Sequence, residues 1–225
     1  MIDAILRFIG YRFLNASLIF DTVHRYPTDE YRRYRLEDPD ETLRLTYNLN
    51  EDSLIVDVGG NTGDWASPMF CRYRCNIDIY EPHPFLAAIC KRNFGRNPKV
   101  NLYPEALADS DGELTLYGDG QNSSFFKTGR SRHIVEAKKA SRVFNERYPK
   151  RIDLLKFNVE GAEYIILPDL LENYDMTRIV NIQIGFHNHV QGHQQMRKDI
   201  QTNLSKTHSK TWGYDYIFEN WERKQ

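Results

Sequence analysis

Four short groups of residues have the types and spacing that chemistry requires. The first is Asp57-Val58-Gly59-Gly60-Asn61-Thr62-Gly63-Asp64, which closes an apolar run starting at Leu54. Glycine lacks a Cβ and accepts positive φ, so such a turn can bring backbone close to a bound molecule. The second is Glu81-Pro82, after the run Ile77-Asp78-Ile79-Tyr80. A carboxylate there can accept hydrogen bonds from both hydroxyls of a ribose. The third, Lys156-Phe157-Asn158-Val159-Glu160-Gly161, ends another apolar run with polar residues at alternate positions. Alternation puts Lys156, Asn158 and Glu160 on one side, where polar groups are costly unless paired or used. A Lys156–Glu160 ion pair is the structural reading and a reactive centre is the chemical one. The fourth, His187-Asn188-His189, follows a further apolar segment and offers groups that exchange protons near neutral pH.

These groups belong together only if the chain places them at one end of a sheet. Apolar runs at 54–58, 76–80, 100–103, 152–159 and 179–186 alternate with helical patterns at 65–72, 84–93, 162–173 and 194–205. Such alternation predicts a parallel sheet covered by helices on both faces. Ligands of these sheets sit beyond the carboxyl ends of the strands, which is where all four groups fall. Residues 106–117, with the turn signal Asp111-Gly112, predict a hairpin-like excursion, and 118–129 a polar loop long enough to close over a site. Residues 134–148 read equally as strand or helix. A last strand is expected at 214–218, in an aromatic tail that packs.

Upstream, residues 1–20 carry an apolar stripe of helical spacing that Arg7, Arg12 and Asn15 interrupt, so an amphipathic helix is predicted and a membrane span is not. Its uses are packing on its own domain, a dimer contact or peripheral attachment to a membrane surface. Residues 24–40 read as a surface linker or part of a substrate mouth, and 41–49 as a short helix. The division expected is an N-terminal helical extension at 1–50 and the main domain at 51–225.

Composition narrows the function classes. At 225 residues with a formal charge of −1, the chain lacks the basic excess of a general nucleic-acid binder. Cys71, Cys75 and Cys90 form neither a CxxC pair nor an even set, so reduced thiols in a cytoplasmic protein are expected. Asn15, Asn122 and Asn203 begin N-x-[ST] triplets, which arise often by chance. No spacing suits a metal triad, so no metal is expected.

The glycine turn also discriminates between adenosine ligands. A dinucleotide fingerprint wants G-x-G-x-x-G, but Gly59, Asn61 and Asp64 hold those places. Asp64 would set a negative charge where a pyrophosphate should sit. A sulfonium cofactor carries no phosphate and has positive charge near its methyl group, so the acids attract it. S-adenosylmethionine is therefore favoured over NAD.

Taken together, Asp57-x-Gly59-Gly60-Asn61-x-Gly63, Glu81-Pro82, Ala106-Leu107-Ala108-Asp109 and Leu155-Lys156-x-Asn158-x-Glu160-Gly161-x-Glu163 resemble the FkbM-type methyltransferases, over residues 53–189. The resemblance implies a class I, Rossmann-like α/β methyltransferase fold, with a mostly parallel seven-stranded sheet flanked by helices and a reversed final strand. It also implies O-methylation of sugar or polyketide hydroxyls, with Asp57, Gly59, Gly60, Asn61 and Gly63 at the methionine part of the cofactor. Glu81 and Pro82 would serve the ribose, Glu105 and Ala106 the adenine edge. Two positions depart from the family pattern: Asn158 stands where Asp is usual, and Gly185 where Glu is common. Asn cannot be a base but can orient a cofactor or substrate.

The expected reaction is attack of a glycan or small-molecule hydroxyl on the cofactor's methyl. The base is Glu160 or His187, with Lys156 orienting the carboxylate or steadying the developing oxyanion. Ser123, Ser124 and His189 would line the acceptor side, Ser123-Ser124 preceding Phe125-Phe126. A noncatalytic cofactor-binding relic and an NAD-dependent oxidoreductase are the alternatives. A base methyltransferase is disfavoured, because the Asn158 segment lacks the Pro-Pro-aromatic context that would hold a flipped base.

Overall fold

A computed structural model describes residues 28–37, 39–118 and 132–225. The chain divides into two compact units, Met1–Thr46 and Tyr47–Gln225. In the first, helix α1 (Asp29–Glu37) occupies part of the stretch expected to be linker. Its Arg32–Asp29 and Arg33–Glu30 pairs, at 2.9 and 2.6 Å, join residues one turn apart on an exposed face. The helix expected over 41–49 shrinks to one 3-10 turn, Leu43–Leu45, after Arg44 and Tyr34 have gathered around the Asp40 carboxylate. The amphipathic helix expected at residues 1–20, together with Ser123, Ser124 and most of the loop at 118–129, lies outside the described residues.

The second unit is built on a seven-stranded sheet in the order β3-β2-β1-β7-β8-β10-β9. Strands β1 (Leu54–Val58), β2 (Asn76–Tyr80), β3 (Val100–Tyr103), β7 (Ile152–Phe157) and β8 (Ile179–Ile184) run parallel. Their apolar runs have no alternation because helices cover both faces, and four of the five residues of β1 are buried. Helices α2 (Ala66–Tyr73), α3 (Pro84–Phe94), α5 (Glu163–Asn173) and α6 (His193–Leu204) make the connections. Val56, Leu155, Phe157 and Ile182 from the sheet share one core with Ile166, Leu170 and Ile200 from the helices. The chain runs outward from β1 to β3, then returns to place β7 on the other side of β1. This reversal of strand order opens a crevice at the carboxyl ends of β1 and β7, where Asp57 and Lys156 are register partners.

The chain ends in a hairpin, β9 (His208–Tyr214) and β10 (Phe218–Arg223), with β10 antiparallel to β8. The single strand expected at 214–218 is therefore corrected: most of that stretch is the turn between two strands. Edge strand β9 exposes Ser209, Lys210 and Thr211 and hides its strand character behind the polar residues that a water-facing edge requires. The excursion at 106–117 is not a simple hairpin either. Strands β4 (Ala106–Ala108) and β5 (Gly112–Tyr117) both flank β6 (Arg132–Lys139), forming a separate three-stranded sheet. The ambiguous stretch at 134–148 is both things in turn, β6 and then helix α4 (Ala140–Arg147). No helix among the described residues is long and apolar enough to cross a membrane.

Candidate functional site

The glycine turn is shaped first by its neighbours in the protein. Amides of Gly59 and Gly60 donate to the Tyr80 carbonyl at 2.9 and 3.1 Å, folding the turn over the end of β2. Gly59 has φ of +81°, and a Cβ there would lie 2.1 Å from the Asn158 carbonyl oxygen. A Cβ on Gly60 would meet Ile79, and one on Gly63 would meet Phe94. These glycines therefore admit protein atoms; of the turn, only Gly59 and Asn61 face the cleft. Asn61 itself has φ of +55°, and its side chain accepts the Thr62 amide at 2.7 Å. Local bonding of this kind is what lets Asn tolerate the left-handed region.

Asp57 is completely buried, and its Oδ1 accepts from Lys156 Nζ at 2.7 Å. The Lys156 ammonium also donates to the Gly59 carbonyl at 2.9 Å and lies 5.6 Å from the centre of the Trp65 ring. Neither the expected Lys156–Glu160 pair nor contact between Lys156 and the cleft is present. The reason is that β7 ends at Phe157, so Glu160 has left the strand and Lys156 faces inward to β1. Lys156 positions the glycine turn. The other Asp57 oxygen, Oδ2, is buried with no hydrogen-bond partner among the described residues.

Glu81 lies in the cleft wall beyond β2 and is almost wholly buried. It accepts the Asn61 amide at 2.7 Å and the His83 amide at 2.8 Å. Burial raises its pKa to about 7, against the opposing pull of those two amides. Each oxygen keeps a lone pair for a further donor. Glu105 differs. Arg147 and Lys138 each reach its carboxylate at 2.6 Å, so that carboxylate is already committed to two cations. Pro82, Glu105 and Ala106 line the cleft, with Leu86, Leu107, Leu116 and Ile166 as its apolar walls.

At the other side of the cleft stands a carboxylate–imidazole–carboxylate array. Glu160 sits in the turn after β7 with φ of +52°, in the left-handed region that non-glycine residues rarely adopt. Its Oε1 lies 3.4 Å from His187 Nε2, and His187 Nδ1 lies 3.1 Å from Oε1 of Glu163. Burial alone would lower the His187 pKa, yet hydrogen bonds to Glu160 and Glu163 and their charges hold it up at about 9. At neutral pH the ring is therefore an imidazolium with a carboxylate on either side. His189 extends the array, its Nε2 donating to the Glu160 carbonyl oxygen at 3.2 Å and its ring 5.6 Å from that of His187. Asn158 and Glu160 line the cleft, while His187 touches it through Glu160.

The two departures from the family pattern are neighbours. A Cβ on Gly185 would fall 2.9 Å from Asn158 Oδ1 and 2.9 Å from the Phe218 ring, so the Asn158 amide fills the space a side chain at 185 would need. Gln183 points elsewhere, donating to the Tyr47 hydroxyl at 2.7 Å. Glu163 is the member of the array that the sequence placed in the family motif but gave no role. At the first position of α5 it reads as an ordinary acid of a helix's first turn, and only its pairing with a residue 24 positions onward reveals it.

Of the described residues lining the cleft, Glu81, Glu105 and Glu160 are acidic, and none is Lys or Arg. With Glu105 already held by Arg147 and Lys138, Glu81 and Glu160 are the acids of that lining that favour a cationic ligand over a pyrophosphate. Among the described residues, no group of three or more His, Cys, Asp or Glu has the geometry of a metal site.

The sequence model of the methyltransferase FkbM domain matches residues 57–216. The 2-O-methyltransferase NoeI of Sinorhizobium fredii is 26% identical over 150 residues, covering 57% of this chain and 62% of NoeI. This chain thus spans less than two thirds of the length of that relative. Methyltransferase sdnD of Sordaria araneosa is 29% identical over 175 residues, covering 60% of this chain and 68% of sdnD. A Staphylococcus aureus structure assigned as a caffeoyl-CoA O-methyltransferase superimposes with a TM-score of 0.52 at 10% identity, over 94% of this chain and 100% of that one. The last similarity concerns the fold alone, the class I methyltransferase arrangement described above.

Proposed function

This chain belongs to the FkbM methyltransferase domain family, and on that premise we propose that it is an S-adenosylmethionine-dependent O-methyltransferase. Its acceptor in this reading is a hydroxyl of a small molecule, a sugar of a glycan or glycoconjugate. The observation that carries the reading is the cleft between β1 and β7. Among the described residues its lining has acids and no Lys or Arg, and the Glu160 carboxylate stands at one side beside the His187 imidazolium. The naming of NoeI as a 2-O-methyltransferase supports transfer to oxygen.

The residues present fit the cofactor. Glu81, holding two backbone amides and still able to accept, would take the ribose hydroxyls. Gly59 and Asn61 in the cleft lining would serve the methionine part, together with Asp57 Oδ2, which has no hydrogen-bond partner among the described residues. The backbone of Glu105-Ala106 and the Leu107 side chain would border the adenine, while Gly60, Gly63 and Lys156 keep the turn in shape. When bound, this cofactor supplies an activated methyl group on a sulfonium centre.

In this reading Glu160 takes the proton of the acceptor hydroxyl, whose oxygen would receive the methyl group that the cofactor supplies. Such a base is worth about 10²- to 10⁴-fold in rate. His187, charged at neutral pH, faces the Glu160 carboxylate at 3.4 Å. His189 and Asn158 offer donors to neighbouring hydroxyls of a polyol. The test is incubation with labelled cofactor and a panel of hydroxylated glycans. Glu160→Gln should lose about 10²-fold or more in turnover while cofactor affinity stays within about threefold. Unchanged turnover in that variant would remove Glu160 as the base. Cofactor binding with no labelled product from any acceptor would favour a noncatalytic module, a reading that the missing acids at Asn158 and Gly185 keep in play.

A further inference from the structure

We infer that Glu163 is a positioning residue, acting through His187 to aim an imidazole N–H at the Glu160 carboxylate. The inference rests on Glu160 being the base of the proposed methyl transfer and adds a residue behind it.

The argument starts from how fully Glu163 is used. Its side chain is completely buried at the start of α5. Oε2 accepts the Gly161 amide at 3.0 Å, tying down the turn that carries Glu160. Oε1 accepts the His187 amide at 2.8 Å and faces His187 Nδ1 at 3.1 Å. A carboxylate can only accept, so Nδ1 must carry a proton, and the ring's orientation follows. Nε2 is thereby left toward Glu160 Oε1 at 3.4 Å. Tyr164, the residue after Glu163, donates its hydroxyl to the His187 carbonyl at 2.8 Å and closes the clamp from the same helix. Among the described residues, the groups facing the His187 ring are Glu160 from the turn after β7, Glu163 from α5, and His189 from its own segment.

A merely structural acid in this place would need only the two backbone amides. The bond to Nδ1 is the additional one, and it has a chemical consequence. With one carboxylate on each nitrogen, the ring holds both protons at neutral pH, its pKa held up at about 9 despite burial. The ring's N–H therefore meets Glu160 without taking up the proton that Glu160 is to receive. Fixing a ring by its far nitrogen is the device that orients histidine ligands at metal sites, here directed at a carboxylate.

The test is a proton NMR titration of His187 in the full-length protein, its signal among the seven histidines assigned by its disappearance in H187Q. In the wild type the ring should titrate near 9. In E163Q, which removes the charge but keeps the size, the midpoint should fall by at least one pH unit. An unmoved midpoint overturns the inference. If E163Q does not fold, E163D decides by the same readout, because its shorter carboxylate loses its reach to Nδ1 and the midpoint should again fall. With an acceptor in hand, kcat should drop at least tenfold in E163Q with KM nearly unchanged, and the alkaline limb of the kcat profile should follow the NMR midpoint. A limb that stays in place also overturns it. The titration needs no acceptor, so a failed methylation assay counts against methyl transfer and still leaves the His187 midpoint to test the role of Glu163.

Discussion

Replacing Lys156 with Met separates a positioning role from a catalytic one. The Lys156–Asp57 pair is buried on both sides, with side-chain exposures of 4% and 0% and a separation of 2.7 Å. Met fills about the same volume, so the change is mainly the loss of the ammonium. Breaking a buried pair by removing one partner costs about 3–5 kcal/mol, because the remaining charge is left in a medium that cannot solvate it. Asp57 is an extreme case, since its second oxygen already lacks a partner among the described residues. In a chain of 225 residues the loss corresponds to a melting point lowered by roughly 6–20 °C. Urea denaturation should show a lower midpoint with an unchanged slope. Asp57→Asn added to Lys156→Met should recover most of the loss, since neutral replacement of both members of such a pair is often tolerated. A single variant within about 1 kcal/mol of wild type, or a double variant no better than the single, would refute the reasoning. Full stability with abolished turnover would instead return Lys156 to the chemistry.

Two further outcomes follow from the same geometry. Glu81, with its pKa near 7, must be ionised to accept ribose hydroxyls, so cofactor affinity measured by calorimetry should weaken roughly tenfold from pH 8 to pH 6. Affinity that is flat or that strengthens toward acid would exclude Glu81 as the acceptor, and Glu81→Gln should bind weakly with no such pH dependence. Gly185→Ala puts a Cβ 2.9 Å from Asn158 Oδ1 and the Phe218 ring, an overpacking that should cost about 1–3 kcal/mol by denaturation. Asn158→Ala in the same chain should recover part of it, and no recovery would mean that Phe218 is the sole obstacle.

Much of the architecture was legible in the chain. Parallel strands buried on both faces must be continuous apolar runs, so β1, β2 and β3 could be read at 54–58, 76–80 and 100–103, where the structure has them. The final hairpin escaped because edge strand β9 carries polar residues toward water, and β6 escaped because its pattern is mixed until β4 and β5 flank it. Local signals describe a strand's own burial and say little about which strands it joins.

The same division runs through the site. Residue types and order alone determined the glycine turn after β1, the acid after β2, the polar cluster after β7 and the histidines after β8. They also determined the preference for a phosphate-free cationic ligand, because charge and hydrogen-bonding capacity belong to the side chains themselves. Which side chain meets which was decided only by tertiary structure. Lys156 turned to Asp57 because adjacent parallel strands set them in register, and Glu160 turned to His187 because its strand had already ended. Glu163 became part of the site because folding brings it against His187, 24 residues later, inside a protein interior where one carboxylate can hold a ring's tautomer and charge. Partners that distant in the chain leave no local pattern, and in that interior the partner sets the chemistry.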